Sequence, residues 1–375
     1  MSGARVGDES PGIPTLGSFT GGQLRRLCAV AGLSQDDCDT YAQVLSESLG
    51  SASVRSLDLP PPTRTFLSDD HTPVEFSLSF RPGAAPAVRV LVEPGCGAAD
   101  LARNGRTGLE AVRAMASRWR FTTEPLDAVA DLFLPSSPQG DFALWCALEL
   151  RPGGIPQLKV YLNPAASGRE HRAETVQEAL RRLGHHQAFG AMPEADGYPF
   201  LALDLGDWEQ PRVKVYLSHD DMTADRAALL SRMDPGPDPA DLEEFFRAAA
   251  GTRSEADRLT RRPALTCHAF TDTAAARPSG FTLHIPVRDY ARHDNEVLAR
   301  ATNLLHRHGM DAGPLDRALA ALTRRRPEDG VGLISYLALA HQHGRPARVT
   351  TYLSCEAYAV RPPNVMAPDP VEAMR

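Results

Sequence analysis

Lys159 and Tyr161 stand two residues apart in "LKVYLNP", and Lys214 and Tyr216 repeat that interval in "VKVYLSH". Arg348, Thr350 and Tyr352 step at the same interval in "RVTTYLSC". In an extended chain, residues i and i+2 share a face, so each stretch presents cations and a phenol ring side by side. Arg89 in "AVRVLVEP" and Arg212 before Lys214 add two more cations in the same setting. Guanidinium and ammonium groups gathered together suit a compact polyanion, and a diphosphate is the natural fit. The ring faces beside them stabilise a positive charge. An anion cradle next to an aromatic wall therefore suits ionisation of an allylic diphosphate, with the cation shielded from water. In "HTPVEFSLSF", Glu75 shares a polar strand face with Ser77 and Ser79. A lone carboxylate there can accept an N–H or O–H donor from an acceptor, and it can take the proton lost when an attacked ring regains aromaticity.

These positions make sense only if the strands carrying them close around one space. Period-two alternation predicts ten strands in five pairs, over 74–80 with 87–94, 142–150 with 157–164, 200–207 with 212–219, 264–272 with 280–287, and 330–339 with 348–355. The second strands recur at roughly 55–70 residues, the mark of a repeat architecture. Helical patterns fill the gaps, among them "GGQLRRLCAVAGL", "SQDDCDTYAQVLSESL" with Ser34 and Asp37 as a capping box, "AETVQEALRRLG" and "NEVLARATNLLHRHG". Each unit reads helix, helix, strand, strand. The expected fold is α+β: a ten-stranded antiparallel closed barrel of five ααββ repeats with helices outside, since closure removes both bare edges. On one strand, alternating cations and tyrosines are the ordinary sign of a solvated sheet face. Three aligned strands with matching spacing argue for a lumen.

Composition narrows the class. The chain has 375 residues, is 42% hydrophobic and 23% charged, and carries a net charge of −7. That balance does not suit bulk binding to nucleic acid or an anionic membrane. No apolar run reaches membrane-spanning length, and "MSGARVGDESPGIPTLGS" lacks a signal-like apolar core. We expect residues 1–17 to be a flexible arm, 18–361 a single barrel domain and 362–375 a loose tail. The six cysteines have no CxxC spacing and read as reduced thiols of a cytoplasmic protein. "TCH" at Thr266–His268 offers only two potential metal ligands. The pairs Asp36–Asp37 and Asp220–Asp221 do not form the DDxxD pattern that chelates magnesium in helical prenyl-diphosphate enzymes.

Together with "LPPPTRTFLSDDHTPVEFSLSF", "ALWCALELRPGG", "YPFLALDLGDWEQPRVKVYL", "RPALTCHAF" and "GFTLHIPVRDY", these residues resemble the aromatic prenyltransferases of the prenyltransferase-barrel (ABBA) fold. The resemblance runs from about Gly21 to Arg361. It is to the dimethylallyltryptophan-synthase type, and within it to the bacterial tryptophan 6-dimethylallyltransferases. It implies alkylation of L-tryptophan by dimethylallyl diphosphate at C6, with no metal or other cofactor. It further implies Glu75 as the acceptor's N–H partner and base, and Tyr161, Tyr216 and Tyr352 as a tyrosine shield. Arg89, Lys159, Arg212, Lys214, Thr282, His284 and Arg348 would grip the diphosphate. Two positions depart from the fungal pattern: His284 and Asn163, both expected in the lumen, where fungal members commonly have Tyr. Other aromatic acceptors (a cyclic dipeptide, tyrosine, a phenol) and a non-catalytic isoprenoid-diphosphate carrier remain open. Nothing in the sequence sets the oligomeric state.

Overall fold

The period-two segments become strands in the computed structural model, which describes residues 13–209, 211–252, 254 and 257–365. In order they are β1 (Val74–Phe80), β2 (Ala87–Val92), β3 (Leu144–Glu149), β4 (Gln157–Leu162), β5 (Gly197–Leu205), β6 (Val213–His219), β7 (Ala264–Phe270), β8 (Gly280–Ile285), β9 (Ile334–Gln342) and β10 (Arg345–Ser354). Each pairs antiparallel with its sequence neighbours, and β10 returns to pair with β1, so the sheet closes into a barrel. At least two helical segments precede each hairpin; the longest are Leu16–Val30, Gln35–Leu49, Leu101–Trp119, Pro239–Ala250 and Asp294–Arg307.

The outward face of each second strand is apolar. Val88, Val90 and Val92 of β2 and Leu158, Val160 and Leu162 of β4 are buried in one core with Leu24 and Leu27 of the first helix and Phe245 and Phe246 further on. Each such side chain contributes about 1.5–3 kcal/mol when fully buried, so this layer between barrel and helices is what holds the fold together. A one-residue slip would turn that layer into the lumen and the cations into the core, so the alternation fixes the register.

Several details differ from the sequence reading. The first helix starts at Leu16, inside the segment expected to be an arm, because Thr15 and Ser18 form a reciprocal cap; residues 1–12 lie outside the described residues. Ser34 caps its helix through the Asp37 amide, but the Asp37 side chain is too short to reach back to the cap amide. It takes the Ser34 hydroxyl and the Gly153 amide instead. The last hairpin is longer than expected: β9 and β10 turn over His343 and Gly344, whose φ of +69° suits a residue without a Cβ. Pro346 falls where the register shifts between Arg345 and Arg348, so no ladder bond needs its missing N–H. That polar, proline-containing sequence hid the strand. Asn163 is a correction: β4 ends at Leu162, and the Asn163 amide turns away to the Gln139 and Phe142 carbonyls. Beyond the barrel, Asn364 is tied to the Arg288, Ala291 and Arg292 carbonyls, so the expected loose tail is anchored there; residues 366–375 lie outside the described residues.

Candidate active site

All the site residues singled out in the sequence line one cavity inside the barrel. Strand geometry arranges them in tiers, because lumen-facing residues on one strand rise by about 6.5–7 Å per step. Near the hairpin turns lie the charges, in the middle lie aromatic rings, and near the helix connections lies Glu75.

At the hairpin end the cations are partly paired. Arg89 stands opposite Glu149 in the β2–β3 register and bridges to it at 2.6 Å. Lys159 stands opposite Asp204. The Asp204 carboxylate is fully covered, and it takes Arg212 at 2.6 Å, Lys214 at 3.1 Å and Lys159 at 3.9 Å. Burial would raise both carboxyls. Arg89, Arg348 and Lys159 outweigh it at Glu149, as do Lys214, Lys159 and Arg212 at Asp204, so both sit below the usual range. Arg348 keeps an Nε without a hydrogen-bond partner among the described residues, and burial, then Arg89, lowers its pKa to about 9. Arg81 and Arg345 also line the cavity; Arg345 is exposed and bridges to Glu209, which leaves six cations against Asp204 and Glu149 there. An excess of buried positive charge is costly without an anion. The Trp208 ring lies against Arg212 at 4.8 Å and Lys214 at 5.7 Å, with its N–H on the Leu158 and Leu205 carbonyls.

The middle tier is aromatic. The Tyr161 and Tyr216 hydroxyls are 3.4 Å apart and their rings 5.7 Å. Tyr352 meets His284 Nε2 at 3.2 Å through its hydroxyl. Phe200 and Trp145 fill in behind Tyr161. Burial raises all three tyrosines, Tyr352 to about 12, and lowers His284 to about 4, so this tier is uncharged at neutral pH. Thr282 lies beside His284 on the lumen side of β8.

At the other end, Glu75 accepts a 2.8 Å hydrogen bond from Ser335. Burial raises its pKa to about 7 against the Ser335 hydrogen bond and the Arg288 charge. Arg288 stacks on Tyr336 at 5.1 Å and bridges to Asp69 at 2.8 Å. This region opens to a second cavity shared by Glu75, Arg288 and Ser335.

The sequence reading overlooked Glu149, Asp204 and Ser335. The period-two rule applied to β3 and β5 places Glu149 and Asp204 on the lumen side, so their signal was present. On β9 it puts Ser335 with Leu337 and Leu339 on the outer face, and only the register shift beside Tyr352 and Leu353 turns it toward Glu75. Cys267 and His268 take opposite faces of β7, which rules them out as joint ligands of one ion. Among the described residues no group of three or more His, Cys, Asp or Glu could hold a metal ion, and no helix is long and apolar enough to cross a membrane.

Known proteins share this arrangement. The tryptophan dimethylallyltransferase family model matches residues 20–316. The ternary complex of prenyltransferase PriB with L-tryptophan and dimethylallyl thiolodiphosphate superposes with a TM-score of 0.93 at 63% identity, over 94% of this chain and 100% of that one. The 5-dimethylallyltryptophan synthase from Streptomyces coelicolor, in complex with DMASPP and Trp, gives 0.91 at 70% identity, over 95% and 99%. The 6-dimethylallyltryptophan synthase from Micromonospora olivasterospora, also with DMASPP and Trp, gives 0.84 at 39%, over 93% and 99%. The repeated Lys-Val-Tyr-Leu thus lies in a barrel shared along nearly its whole length with these enzymes, and the chain is a prenyltransferase belonging to the tryptophan dimethylallyltransferase family.

Proposed function

We propose that the barrel transfers the dimethylallyl group of dimethylallyl diphosphate to the indole ring of L-tryptophan and releases diphosphate. The observation that carries this reading is axial: a cation cluster and a lone carboxylate occupy opposite ends of one lumen, with an aromatic tier between them. Arg89, Lys159, Arg212, Lys214 and Arg348 take the diphosphate, with Thr282 and His284 supplying neutral polar contacts. The donor C–O bond breaks, and its electron pair leaves with the diphosphate toward the cations. The allyl cation forms between Tyr161, Tyr216 and Tyr352, whose ring faces stabilise it and keep water out. A π pair of the indole forms the new C–C bond. Glu75 holds the indole N–H and assists loss of the ring proton, and a carboxyl poised near pH 7 suits that role.

The lumenal cations supply the leaving-group stabilisation themselves, so the reaction proceeds without metal or another cofactor. The acceptor carbon is C6 in the reading from resemblance. The 70% identity to a 5-dimethylallyltryptophan synthase, against 39% to a 6-synthase, favours C5 as a second reading. The six cysteines are all free and buried, which supports a reducing, cytoplasmic setting.

One incubation tests the core of this. Purified protein, L-tryptophan, dimethylallyl diphosphate and excess EDTA should yield mono-prenylated tryptophan by mass. In the proton NMR, H4 is identified by its NOE to the side-chain methylene. It keeps an ortho partner in the C6 product and has none in the C5 product. Stoichiometric donor binding with no turnover on any aromatic acceptor would replace the enzyme reading with a carrier.

A further inference from the structure

Three cations converge on one carboxylate beneath the middle tier, and that carboxylate has no place in the chemistry just described. Asp204 sits on β5 with its side chain wholly covered. It reaches Arg212 and Lys214 on the β6 side and Lys159 on β4. Other charged or titratable groups face the two lysines: Arg89 from β2, Glu149 from β3, Cys267 from β7, His284 from β8 and Arg348 from β10. Of the two carboxylates at this end, Glu149 is taken by Arg89 at 2.6 Å, which leaves Asp204 as the counter-ion of both lysines.

We propose that Asp204 is a positioning residue for the donor: its one carboxylate gathers Lys159, Arg212 and Lys214 into a single cradle and keeps the lysines charged while the barrel is empty. The inference rests on the prenyl-transfer reading, since it takes the donor's diphosphate as the cradle's ligand. Asp204 is an anion placed beside an anion-binding site, so it does not attract the ligand. Its effect runs through the lysines. Burial disfavours their protonated forms, and the Asp204 charge opposes that loss. Without it, a lysine loses its proton at a lower pH and the cradle loses a charge.

This gives a signature that a merely structural role lacks. Inorganic diphosphate binding would be measured by calorimetry for wild type and D204N at several pH values; the ligand's own titration cancels in the comparison. At the acid end of the range, where the lysines are protonated in both proteins, D204N should bind as tightly as wild type or more tightly. Toward pH 8.5 it should bind more weakly, by up to about tenfold for each unit by which loss of the neighbouring charge lowers a lysine's pKa. The curves therefore cross. Replacing Lys214 by Arg, which stays protonated throughout, should shrink the high-pH loss in the K214R/D204N double variant. Should D204N not fold, K214M/D204N removes one buried charge of each sign and carries the same comparison against K214M through Lys159. Parallel curves, weaker or equal at every pH, would overturn the assignment of Asp204 alone. A wild-type barrel that binds no diphosphate would overturn the donor reading and this one with it.

Discussion

The two ends of the lumen bury carboxylates in opposite ways. At the hairpin end Glu149 and Asp204 lie among arginines and lysines and are held ionised. At the helix end Glu75 has a serine hydroxyl as its hydrogen-bond partner and a more distant arginine, and burial pushes it up to about 7. The same side-chain chemistry thus yields a fixed counter-ion at one end and a group ready to exchange a proton at the other. The neutral tyrosine tier separates them, so a charge created at the hairpin end is not quenched by Glu75 directly. Environment rather than depth distinguishes the carboxylates, since Asp204 is buried at least as deeply as Glu75 and yet is held ionised.

The sharpest way to break the comparison is to remove the exchangeable carboxylate. Glu75→Gln keeps the shape and a hydrogen-bond acceptor but loses the base. Turnover should fall by roughly a hundredfold or more, the usual share of a positioned general base. Diphosphate affinity, set at the far end, should stay within about twofold, within the scatter expected of independent distant sites. Wild-type turnover in this variant would remove Glu75 from the chemistry.

Lys214→Ala strikes the other end. A charge-assisted hydrogen bond is worth about 1.5–3 kcal/mol, so the donor KM should rise roughly ten- to a hundredfold. The tryptophan KM should change little, and steady-state kinetics with each substrate varied in turn separates the two. An equal rise in both constants would mean the ends are not independent. Between them, Tyr161→Leu keeps bulk but loses the ring face. It should cost about 0.5–2 kcal/mol in kcat, a loss of roughly two- to thirtyfold, while the donor still binds.

How much of this was legible in the sequence follows the same division. Alternation along β2, β4, β6 and β10 exposes cations and tyrosines at fixed intervals, and closure then forces them together. Strand boundaries were clear wherever the turn carried glycine and proline, as at "RPGGIP". The β9–β10 turn was obscured because Pro346 looks like a strand breaker until the register shift beside it is seen. Glu149 and Asp204 lie on the first strands of their hairpins, where each is a single acidic residue in an apolar run, and only pairing across to β2, β4 and β6 shows that they neutralise cations. The Glu75 carboxyl could be named from its strand face. Its proton affinity could not, since that depends first on burial inside the closed barrel and then on Ser335, 260 positions away in sequence. The ring carbon attacked rests on how a substrate packs in the lumen, which no spacing encodes.

The smallest predicted effect tests how Glu75 is tuned. Its base form predominates above its pKa, so kcat should fall as the pH drops through about 7, approaching tenfold per unit well below that point. Ser335 donates to Glu75 Oε1 at 2.8 Å and favours the ionised form. Ser335→Ala removes that donor from a buried site, so the folded carboxyl becomes a weaker acid and the acid limb moves to higher pH. The sign is fixed: losing a hydrogen bond to the charged form raises the pKa, so the variant lags wild type at neutral pH, lags it most on the acid side where the lag levels off, and recovers in base. A displacement of about half to one unit is expected from one hydroxyl bond worth about 1 kcal/mol, a few-fold loss near pH 7. Glu75→Gln should show no acid limb in that range, with or without Ser335. An acid limb that persists in Glu75→Gln would assign the titration to another group, and an unmoved limb in Ser335→Ala would show that burial alone sets the carboxyl.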